Sequence, residues 1–145
     1  MASTIVNATL SVAITESVTL NGKAYGNINN LNIPNVNEVD ERIMTIPTSE
    51  VGVVTFGTDA GAGSFVRSNV KYLRITNKDD TNFISLHLTS ATDDAWVKLE
   101  AGKSFMLGNG DLETASSFSA FAAITDITAI ADTAAVDIEY FIALT

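Results

Sequence analysis

The apolar side chains of this sequence recur with a period of two residues, which is the pattern of β-strands that bury one face. Between residues 10 and 20 the apolar positions share one parity, and mostly small polar residues occupy the other. The apolar set is Leu10, Val12, Ile14, Val18 and Leu20. About nine or ten such segments, separated by turn signals, follow one another along the chain. They predict an all-β fold, either an antiparallel sandwich or a barrel.

Turn residues set the expected strand boundaries. Asn21-Gly22 supplies the positive φ of a type I′ turn, so residues 10–20 should pair with residues 23–33 as a hairpin that Pro34 ends. Residues 34–41 are polar and predict a loop. Further strands are predicted at 42–46, 50–56, 70–77, 83–89, 96–99, 104–107, 118–123, 127–131 and 136–144, with a tight hairpin turn at 100–103. A helix over 112–123 is the main alternative there, because alanine favours helices whereas serine and threonine do not.

Length and composition narrow the class of protein. The 145 residues form one domain, 1–145, and a hydrophobic fraction of 46% excludes intrinsic disorder. A net charge of −9 repels phosphate backbones, so we expect no nucleic acid partner. The absence of cysteine excludes disulfides and thiolate metal sites, and a single histidine excludes a multi-histidine metal site. No uninterrupted apolar stretch of about 18 residues occurs, so we expect no membrane span, and no cleavable signal is recognisable.

The candidate catalytic and calcium-binding residues are few. His87 lies on the polar parity of its strand, and no Gly-x-Ser-x-Gly motif accompanies it. We therefore expect His87 to be solvated or to lie at an interface, and we expect that the protein is not an enzyme. Asp79-Asp80 and Asp93-Asp94 offer oxygen ligands for Ca²⁺ but lack the spacing of a calcium loop. Aspartate also initiates turns by accepting hydrogen bonds from nearby backbone amides, and we expect that role for both pairs.

Two further features suggest binding but have simpler explanations. The loop at residues 57–64 contains three glycines, yet it lacks the Gly-Lys-Ser/Thr ending of a phosphate loop, so a mobile or intersubunit contact loop is expected. Trp96 could stack on a sugar, but a single tryptophan in a strand is more often a core residue. We therefore predict no cofactor and no metal.

Several segments are candidates for contacts with other chains. Residues 2–7 are uncharged and strand-prone, so residues 1–8 are expected either to form an N-terminal arm that adds to a neighbour's sheet or to pair within their own domain. Phe141 and Ala143 make the second face of the last strand apolar, which places that strand in the centre of a sheet or at a subunit contact. The candidate contact residues are Thr4, Ile5, Val6, Gly61, Gly63, Phe65 and Phe141.

About half of the chain resembles a known group of proteins. The segments that carry the resemblance are VKYLRITNKDDTNFISL at 70–86, KLEAGKSFML at 98–107 and VDIEYFIA at 136–143. They are similar to small virion structural proteins of tailed phages, especially phages of marine bacteria and cyanobacteria. The shared features are strand and turn patterns without a catalytic signature.

The resemblance implies a jelly-roll-like β-sandwich on the outside of a virion. It implies a capsid decoration or cement protein that is made in the host cytoplasm, binds the major capsid protein and forms a homo-oligomer, with a trimer favoured. A tail, baseplate or head–tail junction component is the alternative within the same group. The lack of coiled-coil heptads and of a shaft repeat favours decoration over a fibre. A non-enzymatic carbohydrate- or Ca²⁺-binding module is the alternative from another class.

Overall fold

A computed structural model of the chain describes residues 4–108 and 124–145, which form 13 β-strands and one short 3₁₀ helix. The strands are β1 (Ala8–Thr15), β2 (Val18–Leu20), β3 (Lys23–Tyr25), β4 (Ile28–Val36), β5 (Glu38–Ile46), β6 (Val51–Gly57), β7 (Ser64–Val66), β8 (Val70–Asn77), β9 (Ile84–Ser90), β10 (Asp94–Leu99), β11 (Ser104–Leu107), β12 (Ile124–Ala131) and β13 (Val136–Leu144). The 3₁₀ helix spans Arg67–Asn69. In this part of the chain there is no helix with the length and hydropathy needed to cross a membrane.

Two sheets pack face to face in a jelly-roll arrangement. One sheet has the order β10-β9-β12-β6-β7, and the other has the order β11-β8-β13-β5. The eight long strands from β5 onward pair in a nested way, β5 with β13, β6 with β12, β8 with β11 and β9 with β10. In this nesting the first of the eight strands pairs with the last, the second with the last but one, and so on inward, which is the topology of a jelly roll. All strand pairs of the two sheets are antiparallel except the parallel pair β6–β7. The predicted all-β sandwich is confirmed.

The core lies between the two sheets and contains the inward parity of each strand. On β13, for example, Val136, Ile138, Tyr140 and Ile142 are fully buried. Burying an aliphatic or aromatic side chain of this size stabilises the fold by about 1.5–3 kcal/mol relative to leaving it exposed. Because β13 pairs with β8 on one side and β5 on the other, the prediction that the last strand is central in a sheet is confirmed.

The first four strands form one long hairpin outside the sandwich. From Leu10 to the turn its register does not change, since Leu10 lies opposite Ile33 and Leu20 lies opposite Lys23 with equal numbers of residues between them. At the tip, Asn21 and Gly22 have φ values of 50° and 76°, as a type I′ turn requires, so the predicted turn is confirmed.

The ladder is broken where Glu16 meets the opposite strand at Gly26. The φ of Gly26 is 118°, and a Cβ there would lie 2.1 Å from the carbonyl oxygen of Glu16, so only glycine fits. The predicted strands at 10–20 and 23–33 are therefore each divided in two.

The predicted loop at residues 34–41 is wrong. β4 continues through Pro34 to Val36, and β5 begins at Glu38. The polar residues form a bulge in which Asn35 has a φ of 62°, between the pairs Ala8–Val36 and Leu10–Ile33. Proline is tolerated because β4 pairs with only one other strand and the bulge takes Pro34 out of the regular ladder.

The predicted turn at residues 100–103 is confirmed, but the prediction that it closes a hairpin is wrong. The Lys103 amide donates to the Glu100 carbonyl at 3.1 Å, and Gly102 has a φ of 69°. The strands that this turn joins, β10 and β11, belong to opposite sheets. The predicted strand at 118–123, and its helical alternative at 112–123, lie outside the described residues.

Candidate interaction surface

The base of the β1–β4 hairpin is anchored on the outer face of the four-stranded sheet. Its inward side chains form a second, smaller core with residues of β8 and β13. The members of this core are Leu10, Val12, Leu31, Ile33, Val36, Tyr72, Phe141 and Ala143. The rings of Tyr72 and Phe141 meet edge to face, with centroids 6.0 Å apart. The sandwich therefore holds the base of the hairpin rigidly.

The distal part of the hairpin, residues 13–30, is exposed at every position, and we call it the projecting hairpin. From residue 13 to residue 20 it extends about 23 Å at 3.3 Å per residue. Its apolar side chains include Val18, Leu20 and Tyr25, which are 56%, 61% and 49% exposed. An isolated two-stranded hairpin is marginally stable in water, so this segment is suited to contact with another molecule.

A groove of about 530 Å³ runs between β1 and the sheet beneath it. Its floor includes Arg74, whose guanidinium lies 2.6 Å from the Glu139 carboxylate and also bonds the Thr76 hydroxyl. The hydrogen bond from Arg74 lowers the pKa of Glu139. The charges of Arg74 and Glu139 therefore compensate each other at this point.

The predicted N-terminal contact residues are at the surface. Thr4, Ile5 and Val6 precede β1, lie outside the strands and are exposed. Ile5 lies beside Asn37 and Glu38, next to the start of β5. This position is compatible with a contact to another chain.

The remaining predicted contact residues have different surroundings. Gly61 and Gly63 belong to a closed turn in which Gly61 and Ser64 exchange backbone hydrogen bonds and the Thr55 amide donates to the Gly63 carbonyl at 2.8 Å. Phe65 is a core residue, only 2% exposed, because β7 pairs with β6 and directs this ring inward. Phe141 packs under the base of the hairpin, so its own chain covers it in part. Phe65 is therefore corrected from a contact residue to a core residue.

His87 lies on the outer face of the five-stranded sheet with a carboxylate on each ring nitrogen. Its Nδ1 is 2.9 Å from Glu50 Oε1, and its Nε2 is 2.9 Å from Asp94 Oδ2. The Thr128 hydroxyl also donates to Glu50. The hydrogen bond with Glu50 is the main cause that raises the pKa of His87, while partial burial acts in the opposite direction and Asp94 reinforces the rise. When protonated, the ring donates to both carboxylates.

This arrangement is not that of a catalytic triad. A triad histidine leaves one ring nitrogen for the nucleophile, whereas both nitrogens of His87 bond to carboxylates. Glu50 and Asp94 lie on opposite sides of the ring and do not converge on one point. Within residues 4–108 and 124–145, no group of three or more histidine or acidic side chains could hold a metal ion.

Trp96 is not the core residue that the sequence suggested. It lies opposite His87 on the edge strand β10, is 53% exposed, and stacks on the imidazole with ring centroids 3.9 Å apart. Val97 and Leu99 occupy the inward parity of this strand, so Trp96 has to face outward. Sequence reasoning missed both Glu50 and this stacking, because β9, β10 and the residue just before β6 come together only in the folded protein.

The predicted turn role is confirmed for Asp79 and is wrong for Asp93, whose carboxylate accepts, among the described residues, only the Thr92 hydroxyl, at 2.7 Å. The Asp79 carboxylate accepts the backbone amides of Thr81 and Asn82, both at 2.7 Å, and these bonds lower its pKa. In the turn at Asp93 the Ser90 hydroxyl takes that role, since it accepts the Asp93 amide at 2.9 Å while the Ser90 amide donates to the Asp93 carbonyl at 2.8 Å. Asp94, in contrast, begins β10 and bonds to His87.

Comparison with known proteins adds no relative. No protein-family model matches this chain, and no curated protein sequence matches it.

Proposed function

We propose that the protein is a virion structural protein that decorates the outer capsid surface and stabilises the capsid lattice. The observation that carries the proposal is a small rigid jelly roll that extends a long, exposed and partly apolar hairpin. Jelly rolls serve as capsid domains, and an exposed apolar projection is a feature of proteins that assemble with others.

The distribution of charge supports an assembling role. Residues 1–36 contain one acidic and one basic side chain, so the entire net charge of −9 belongs to residues 37–145. The acidic body favours solubility and repels a packaged genome, whereas the neutral segments can lie against protein without charge repulsion. The exposed segment at residues 4–6 is suited to add as a strand to the major capsid protein.

A tail, baseplate or head–tail junction position uses the same fold and surfaces. Copy number separates the two locations, since decoration requires hundreds of copies per particle, while a tail or neck component is present in a dozen or fewer. Quantitative mass spectrometry of purified virions measures this number directly.

One observation supports a second candidate function, carbohydrate binding. Trp96 is exposed and stacks on His87, whose ring nitrogens bond to the carboxylates of Glu50 and Asp94, and jelly rolls also form lectin domains. A glycan array measures carbohydrate binding, and the Trp96→Ala variant is the control that should abolish any signal.

An add-back experiment tests the decoration proposal. Capsids that lack the protein are mixed with the purified chain, and co-sedimentation and the temperature of capsid disruption are measured. We expect saturable binding and a higher disruption temperature, because a ligand that binds only the assembled lattice stabilises it. Val6→Asp should weaken binding, whereas Trp96→Ala, at an exposed residue of the five-stranded sheet, should not. Failure of the wild-type protein to sediment with capsids would refute the proposal.

A further inference from the structure

We propose that the tip of the projecting hairpin, which consists of β2, β3 and the turn between them, binds a second copy of this chain. The contact is with the outer face of β5 in that copy. We call the acceptor residues Val39, Glu41 and Ile43 the β5 strip. The inference deepens the proposed structural role and rests on it, since it names how the copies join. It follows from three properties of the described residues, namely the path of the hairpin, its apolar face and its charge.

The hairpin crosses the four-stranded sheet from one edge to the other. It starts beside β5, where the Asn37 amide donates to the Leu144 carbonyl at 3.1 Å. Its next residues pack on β13 and β8 through the small core. Ile14 then lies at the groove beside Met106 of β11, the opposite edge strand. The tip therefore leaves the sheet at the β11 edge, while the β5 strip lies at the other edge of the same face.

The apolar face of the hairpin continues from its base, where it packs on the four-stranded sheet, to its tip. Because the register does not change from Leu10 to the turn, Val18 and Leu20 share the parity of Leu10 and Val12. At the base this face covers the sheet of its own chain, and at the tip it is uncovered. The β5 strip is an uncovered part of the same outer face, where Val39 and Ile43 are exposed and lie opposite Ala143 and Glu139 of β13.

Charge also favours a second copy as the occupant. The tip carries Lys23, whose ammonium lies 5.2 Å from the Tyr25 ring centre, and the β5 strip carries Glu41 between its two apolar side chains. The β5 strip and the tip are therefore complementary, because each presents apolar side chains, and the negative charge of the strip can pair with the positive charge of the tip. Two acidic bodies would repel each other, whereas a neutral hairpin can approach an acidic body.

Donor and acceptor are different surfaces, so the contact is head to tail. Such contacts generate a ring when the rotation between subunits closes. Each chain in the ring gives one tip and receives one, which covers both exposed apolar surfaces without any new element.

Sedimentation velocity on designed variants tests the assembly. At about 100 μM, where contacts of micromolar affinity are saturated, the wild type should sediment as a closed oligomer of the 15.3 kDa chain. Leu20→Asp on the tip and Ile43→Asp on the strip should each give monomers. Ile28→Asp is the matched control, since Ile28 is 58% exposed but lies opposite Thr15 on the other face of the hairpin. It should leave the oligomer unchanged.

Mixing the two monomeric variants gives the decisive result. The Ile43→Asp chain keeps an intact tip and the Leu20→Asp chain keeps an intact strip, so they should form a one-to-one complex that cannot close. Exchange of charges gives an independent check, since Lys23→Glu should weaken assembly about two- to fivefold and Glu41→Lys in the same chain should restore it.

Several outcomes would overturn the inference. They are a monomeric wild type, a mixture that stays monomeric, or equal effects of Leu20→Asp and Ile28→Asp. A monomeric wild type whose capsid binding is lost in Leu20→Asp would assign the tip to the capsid protein instead. Tyr25→Asp, on the other strand of the tip, replaces Leu20→Asp if circular dichroism shows that the latter is unfolded. An oligomer that does not bind capsids would refute the decoration proposal and leave this inference standing.

Discussion

Replacing Asn77 with alanine should remove the polar link between the two sheets. Among residues 4–108 and 124–145, Asn77 is the only buried residue that is neither apolar nor a tyrosine. Its side-chain amide donates to the carbonyls of Asn82 and Leu99 at 2.9 and 3.1 Å, and its oxygen accepts the Asp79 amide at 2.9 Å. Each bond contributes about 1 kcal/mol net, so we expect the free energy of unfolding to fall by about 3 kcal/mol.

Equilibrium urea denaturation at matched protein concentration measures this loss. The midpoint should fall while the denaturant dependence stays unchanged, as for a loss of stability without a change in the surface exposed. Asn30→Ala, on the exposed projecting hairpin, is the control and should change the free energy by less than about 0.5 kcal/mol. A loss below about 1 kcal/mol for Asn77→Ala would refute the reasoning, because three buried groups would then have found other partners.

Gly26→Ala should unfold the projecting hairpin and spare the sandwich, because its Cβ would lie 2.1 Å from the Glu16 oxygen; hydrogen exchange of the hairpin amides measures this. Gly22→Ala, with open space around the added Cβ, is the milder control. The stability of the wild type relative to His87→Asn should fall as the pH rises above 6.5, as measured by urea denaturation at several pH values. Tyr140→Phe should cost about 1–2 kcal/mol in urea denaturation, since the hydroxyl donates to the Asp40 carboxylate at 2.8 Å. Burial, together with this bond, raises the pKa of Tyr140 to about 12, which ultraviolet difference titration checks.

The direction of the pH effect follows from the pKa shifts in the His87 cluster. Folding raises the pKa of His87, so its contribution is complete below 6.5 and is lost as the pH rises through the raised value. The Thr128 and His87 hydrogen bonds lower the pKa of Glu50, so that contribution is present above 4.5 and lost as the pH falls. A difference between wild type and His87→Asn that does not vary with pH would contradict this.

Two other results would contradict the remaining predictions. Wild-type protection of the hairpin amides in Gly26→Ala would mean that the close approach to Glu16 does not constrain the backbone. A Tyr140→Phe protein as stable as the wild type would mean that the bond to Asp40 contributes nothing net.

The sequence predicted strands better than it predicted their partners. The predicted segments 70–77, 104–107 and 136–144 agree closely with β8, β11 and β13. The flanks of residues 100–103 nevertheless belong to opposite sheets, because a short turn can either close a hairpin or cross between layers. Within the eight long strands from β5 onward, only β9 and β10 follow each other in the same sheet.

For the candidate surfaces too, the sequence indicated single residues and turns but not which distant residues they contact. The sequence indicated that His87 faces away from the core, which is correct, but Glu50, Asp94 and Trp96 surround it only because β9, β10 and the residue before β6 come together in the folded protein. The Asn21-Gly22 turn indicated a hairpin, but its projection depends on which residues of the sheet it covers. Phe65 was indistinguishable from a surface aromatic until its pairing with β6 was known.

By itself, the sequence determined the positions of most strands, the type I′ turn and the all-β class, because alternation and turn chemistry act between residues close along the chain. Only the tertiary structure decided that β5 pairs with β13, that the hairpin crosses one sheet and projects, and that Trp96 is exposed. Those outcomes depend on contacts between segments far apart in the sequence, and a local pattern holds no information about which distant strand will supply the opposite edge.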